Sequence, residues 1–92
     1  MQRHLLTQPL DGSAPAESLY QTHQDVWPGA WSPDGQSLVF VETPPTEFAE
    51  IKILSMGARS AVEPLVGSST QAFYPSLSPD GRWLAYMLLW VR

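Results

Sequence analysis

WSPDGQSL at residues 31–38 returns as LSPDGRWL at residues 77–84, 46 positions further on. Each copy spells a tight turn. Pro33 and Pro79 hold φ at about −65°, which suits the second position of a type I turn. Asp34 and Asp80 follow, with carboxylates that can accept bonds from nearby amides. Gly35 and Gly81 supply the positive φ that returns the chain into a bulged hairpin. Ser32 and Ser78 can accept a bond from the turn. The stretch predicts two hairpins, each a short strand ending at Trp31 or Leu77, a turn, and an apolar strand.

Working outward, SLVFVE (37–42), EIKILSM (50–56) and RWLAYMLLWVR (82–92) are apolar runs bounded by turn residues, as strands are. HLLTQPL (4–10) and AESLY (16–20) read as weaker strands. Nine prolines and six glycines are scattered along the chain, and no stretch keeps a helical period for long. EFAEIKIL fits a helical turn or two, but Ile51 and Ile53 around Lys52 fit a strand as well. The chain is read as all-β, one unit over residues 1–92, with repeat 1 at about 4–42 and repeat 2 at about 50–91. The 46-residue period is near that of propeller blades.

Composition bounds the function. Hydrophobic residues make up 43% and charged residues only 15%, against a usual charged share of about 25%. With four Trp, three Tyr and three Phe, some apolar surface is expected to be covered by a partner. A net charge of −4 without a basic patch disfavours nucleic acid. The absence of cysteine excludes disulfides and thiolate metal sites and leaves the compartment open. MQRHLLTQPLDG does not read as a signal peptide. The longest apolar run, Trp83 to Val91, is shorter than the roughly 20 residues a bilayer-spanning helix needs, so no membrane insertion is expected.

Pro-x-x-Trp-Ser-Pro-Asp-Gly-x-x-Leu-x-Phe over 28–40 and Tyr-Pro-x-x-Ser-Pro-Asp-Gly-x-x-Leu-Ala-Tyr over 74–86 resemble the repeat of TolB-like β-propellers. The resemblance implies blades of four strands, lettered A to D outward from a central channel. Residues 4–10 then become C, 16–20 D, 26–31 A, 36–42 B, 50–56 C, 62–66 D, 72–77 A and 82–91 B. The chain amounts to a half blade, one full blade and another half blade. Two departures stand out. Pro28 sits one place earlier than Pro75, with Gly29 in the proline slot, which predicts a shifted or bulged first strand in the first copy. The last strand continues through MLLWVR where the family leaves by a polar turn.

Half blades from different chains can complete one another. The expectation is a homo-oligomeric ring of two to four chains, closed through Leu5, Leu6, Met87, Leu88, Leu89, Trp90 and Val91. The alternative is an inactive fragment of a larger TolB-like sensor or enzyme-associated propeller. On the resemblance, loops 21–26, 43–49 and 68–73 gather on one face, with Gln24, Asp25, Gln71 and Phe73 near the channel mouth. Trp27, Trp31, Phe73 and Tyr74 are read as core between blades rather than a stacking site, and Trp83 and Trp90 as interface packing.

Catalytic chemistry finds little footing. His4 and His23 lack further ligands at metal-site spacing, though His23 and Asp25 could hold a cation weakly. No Ser-His-Asp set can be argued, and Asp34 and Asp80 are accounted for by their turns. The expected function is a non-enzymatic scaffold or binding module for a protein, peptide or small ligand, with no cofactor and no metal.

Overall fold

Ser32 and Asp34 build their turn through three short contacts in the computed structural model, which describes residues 1–45, 48–57, 60–66 and 71–89. Ser32 Oγ donates to Asp34 Oδ1 at 2.6 Å, the Gln36 amide donates to the same oxygen at 2.9 Å, and the Ser37 amide donates to Ser32 Oγ at 3.0 Å. Ser78, Asp80, Arg82 and Trp83 repeat the set at 2.6, 3.1 and 3.0 Å. Gly35 and Gly81 take φ of 71° and 72°, where a Cβ would be strained.

These turns join strands of an all-β chain: β1 (Arg3–Thr7), β2 (Glu17–Thr22), β3 (Asp25–Trp31), β4 (Ser37–Thr43), β5 (Glu50–Ser55), β6 (Ala61–Val66), β7 (Gln71–Leu77) and β8 (Leu84–Leu89). The strands form three antiparallel sheets, β1–β2, β3–β4–β5–β6 and β7–β8, each a meander of sequence neighbours.

The 46-residue repeat extends beyond the turns into the strand register. Leu5 faces Tyr20 and Leu6 faces Ser18 across a bulge; Ile51 faces Val66 and Lys52 faces Pro64 across its counterpart. Trp27 faces Val41 and Ala30 faces Val39; Phe73 faces Met87 and Ser76 faces Ala85. So β1–β4 and β5–β8 are two copies of one four-strand arrangement. The bulge expected at Pro28–Gly29 is present, but the second copy carries one too, between Phe73 and Ser76. A proline lies at each, Pro28 and Pro75, and its missing N–H breaks the ladder in either copy. In the second copy the kink is held by Tyr74 at φ 56°, uncommon for a bulky residue.

β4 lies at the centre, because side chains alternate across a strand and both of its faces are covered. Val39 and Val41 pack with Ala49, Ile51 and Ala72, against Phe73, Leu77 and Leu84 of the β7–β8 hairpin. Leu38 and Phe40 pack with Leu54 and Leu5, against Leu19 and Tyr20 of the β1–β2 hairpin. A run buried on both faces reads as continuously apolar, as SLVFV does.

Gly29 lets β7 approach this centre. A Cβ there would sit 2.5 Å from the Val39 carbonyl oxygen and 2.6 Å from Pro75 Cγ. Gly29→Ala is therefore expected to cost about 1–3 kcal/mol through overpacking, read as a lower urea midpoint with an unchanged slope.

Candidate functional site

Three features at the loop ends of the strands carry functional interest: a cleft between β3 and β7, a buried carboxylate on β4, and the outer side of β8.

The cleft lies at the two bulges, whose residues Pro28, Tyr74 and Pro75 line it. It is an open depression of about 450 Å³ lined by Trp27, Pro28, Val41, Phe73, Tyr74 and Pro75. Trp27 is 47% exposed and Tyr74 75% exposed. Core packing between sheets was expected for these rings, and for Trp31, which is also half-exposed; the structure corrects that. The core between β4 and β7 is instead made by smaller residues, Val39, Val41 and Ala72, and the rings stand at its rim. Phe73 alone is half-buried and packs against that core while also lining the cleft. Trp31 lines a second depression at the opposite end, beside Leu19, Leu54 and Met56.

The carboxylate is Glu42, whose side chain is fully buried. Tyr20 Oη donates to Oε1 at 2.7 Å, and Lys52 Nζ to the same oxygen at 3.0 Å. Thr22 Oγ1 and Gln24 Nε2 each donate to Oε2 at 2.6 Å. Burial alone would push this carboxyl up; the hydrogen bonds from Thr22, Tyr20 and Lys52, with the Lys52 charge, outweigh it and hold it below its ordinary value. Burial and the neighbouring carboxylate push the Tyr20 phenol up to about 12. Four donors occupy the carboxylate and keep it ionised, so Glu42 is built to tie the first hairpin to the central sheet rather than to move protons.

Of the residues expected near a channel mouth, Gln24, Asp25 and Gln71 are held by contacts within the chain. Gln24 spends its amide on Glu42, and Gln71 Oε1 accepts the Ala49 amide at 2.7 Å, so both hold loops. Asp25 pairs with Arg3 Nε at 3.0 Å, and Arg3 Nη1 also donates to the His23 carbonyl. Arg3 thus occupies the Asp25 carboxylate, which together with His23 could have held a cation only weakly. Among the described residues, no three His, Cys, Asp or Glu side chains gather as a metal site. His4 Nδ1 lies 3.0 Å from Ser18 Oγ on the exposed side of β1–β2, with no carboxylate bonded to the imidazole among the described residues. Phe73 is the one expected residue that reaches the cleft.

Along β8, Tyr86, Met87, Leu88 and Leu89 are all exposed, on both faces of the strand, as is Trp83 before them. Leu6 on β1 is 60% exposed. The Leu5 side chain is buried against Leu38, Phe40 and Leu54, because the alternation turns it toward the chain's own sheet, so what Leu5 offers a further strand is its backbone. Trp90 and Val91 lie outside the described residues, as do positions 46–47 of the 43–49 loop and 68–70 of the 68–73 loop.

No family model, no curated protein and no solved structure matches the chain.

Proposed function

We propose that this chain is a two-blade unit of a TolB-like β-propeller and acts as a non-enzymatic scaffold that assembles with copies of itself into a ring. The observation that supports this best is the in-register 46-residue repeat of strand pairs, in which β8 is apolar on both faces and has one edge without a partner among the described strands. A strand of that composition calls for cover on both faces and a partner at its edge. The cleft between Trp27 and Tyr74 is the surface such a ring presents, and its ring faces and prolines suit a proline- or aromatic-bearing segment of a peptide.

Absolute mass by light scattering on a sizing column tests the assembly. A single species at two, three or four times 10.2 kDa is the expected result. A monomer supports the other reading, an inactive piece of a larger sensor or enzyme-associated propeller whose own next strand covers β8. Binding at the cleft is tested with a proline-rich decapeptide followed by tryptophan fluorescence. The peptide is expected to change the emission of the native chain, and Trp27→Phe to remove most of that change while leaving the melting temperature within a few degrees.

A further inference from the structure

The internal repeat displays how an equivalent strand looks when it is fully partnered. β8 is the 46-residue counterpart of β4: Leu84 stands for Leu38, Ala85 for Val39, Tyr86 for Phe40, Met87 for Val41 and Leu88 for Glu42. β4 is buried along its length because β5 lies at its edge and a hairpin lies on each face. Within the chain β8 has neither the edge strand nor the outer hairpin among the described residues. β1 is the counterpart of β5, with the same bulge in the same place. Its own outer edge has no partner among the described strands.

One difference between the two halves bears on what the open strands fit. In the partnered sheet, Glu42 on β4 is met diagonally by Lys52 on β5, a residue paired directly with Phe40, and Tyr20 of the neighbouring hairpin closes over the carboxylate. The counterpart of Glu42 is Leu88, of Lys52 is Leu6, and of Tyr20 is Val66. These three polar members are replaced together by apolar ones, while Thr22 and Gln24 correspond in sequence to Ser68 and Thr70, outside the described residues. Two of the replacements sit on the open strands: Leu88 on β8 is 40% exposed, and Leu6 on β1 is 60% exposed. The charged set serves the junction inside the chain, and the apolar set lies divided between its two open strands.

Resting on the self-assembly reading above, we infer that β8 of one copy pairs antiparallel with β1 of a second copy in the register that β4 and β5 already use. Leu6 and Leu88 then form the apolar counterpart of the Lys52–Glu42 pair. The register comes from carrying Val39↔Ile53, Phe40↔Lys52 and Val41↔Ile51 across the repeat. Ala85 comes opposite Thr7, Tyr86 opposite Leu6 and Met87 opposite Leu5. The contact is head-to-tail, since β8 and β1 are different surfaces. It also excludes a wrong pairing: β1 laid against a β4-like strand would leave a buried carboxylate beside Leu6 without its ammonium partner.

The chain has no cysteine, so introduced thiols report the register directly. Residues directly opposite on antiparallel strands have Cα atoms about 4.5–5.5 Å apart, within disulfide range. An equimolar mixture of Ala85→Cys and Thr7→Cys chains, oxidised under non-denaturing conditions, is expected to give a covalent dimer at twice 10.2 kDa in high yield. Ala85→Cys mixed with Pro9→Cys, two residues out of register, is expected to give at least tenfold less. The native chain's mass is measured alongside. A monomeric native chain overturns the self-assembly reading itself. An oligomer that cross-links 85 to 9 as readily as 85 to 7, or forms neither disulfide, overturns the register while leaving assembly standing.

Discussion

Glu42→Ala is expected to be the most damaging single substitution inside the chain. It leaves the Lys52 ammonium, the Tyr20 hydroxyl and the Gln24 amide around a space without an acceptor. Removing one partner of a buried charged network typically costs about 3–5 kcal/mol. For a domain of this size that corresponds to a melting temperature lower by more than roughly 12 °C, measurable by circular dichroism. Glu42→Gln keeps the shape and loses the charge, so its cost is smaller. The two variants also differ from the native chain in acid. The folded-state pKa of Glu42 lies below its ordinary value of 4.5, so its contribution is full above that value and is lost as pH falls through the lower, folded one. The native chain is expected to lose stability on acidification through that window, and Glu42→Gln to show a flatter profile there. Tyr20 has the opposite sign: its raised value means a contribution present below 10 and lost as pH rises through about 12.

Leu88→Glu is expected to have the largest effect on assembly. The substitution rebuilds on β8 the acid that β4 carries, but faces it with Leu6 of the next copy and with Val66 in place of Tyr20. An uncompensated carboxylate in that junction is costly, and the expected outcome is a shift from oligomer to monomer at micromolar concentration, with the fold of each chain retained. Adding Leu6→Lys supplies the ammonium that Lys52 supplies to Glu42. The double variant is then expected to recover at least tenfold of the lost association, a coupling that independent sites do not show. Sedimentation of the native, single and double variants over a concentration series reads this out. If the two substitutions simply add, Leu6 and Leu88 are not neighbours.

The turns and strands were legible because their causes are local. Ser-Pro-Asp-Gly contains its own hydrogen-bonding partners within a few residues, and the apolar runs at 37–42 and 50–56 give strands with ends within a residue of those expected. Glu42 was not legible as a core residue. An acid at the end of an apolar strand reads as the point where the chain returns to water, and its partners at 20, 22, 24 and 52 come from two other parts of the sequence. The available signal was its parity: Glu42 stands two residues from Phe40 and four from Leu38, on the same face of β4. The exposure of Trp27 and Tyr74 was hidden for a similar reason. Apolar size predicts burial on average, whereas the bulges at Pro28 and Pro75 decide which rings reach the core, and a bulge reverses the face of the residues after it. The second bulge was hidden because Pro75 occupies the slot the repeat pattern assigns to proline, which makes it look regular.

Among the described residues, every sheet ladder joins strands that are neighbours in sequence, and this shapes the order in which the structure assembles. Hairpins of this kind close small loops and form within microseconds, so the three sheets can appear before they meet. Their stacking is expected to come last, and the tie from Tyr20 and Thr22 to Glu42, about twenty residues away, to belong to that late step. Interactions absent from the transition state govern how fast a fold is lost rather than how fast it is gained. The carboxylate on β4 therefore acts as a latch on unfolding: weakening it shortens the lifetime of the native state and leaves the rate of its formation nearly untouched.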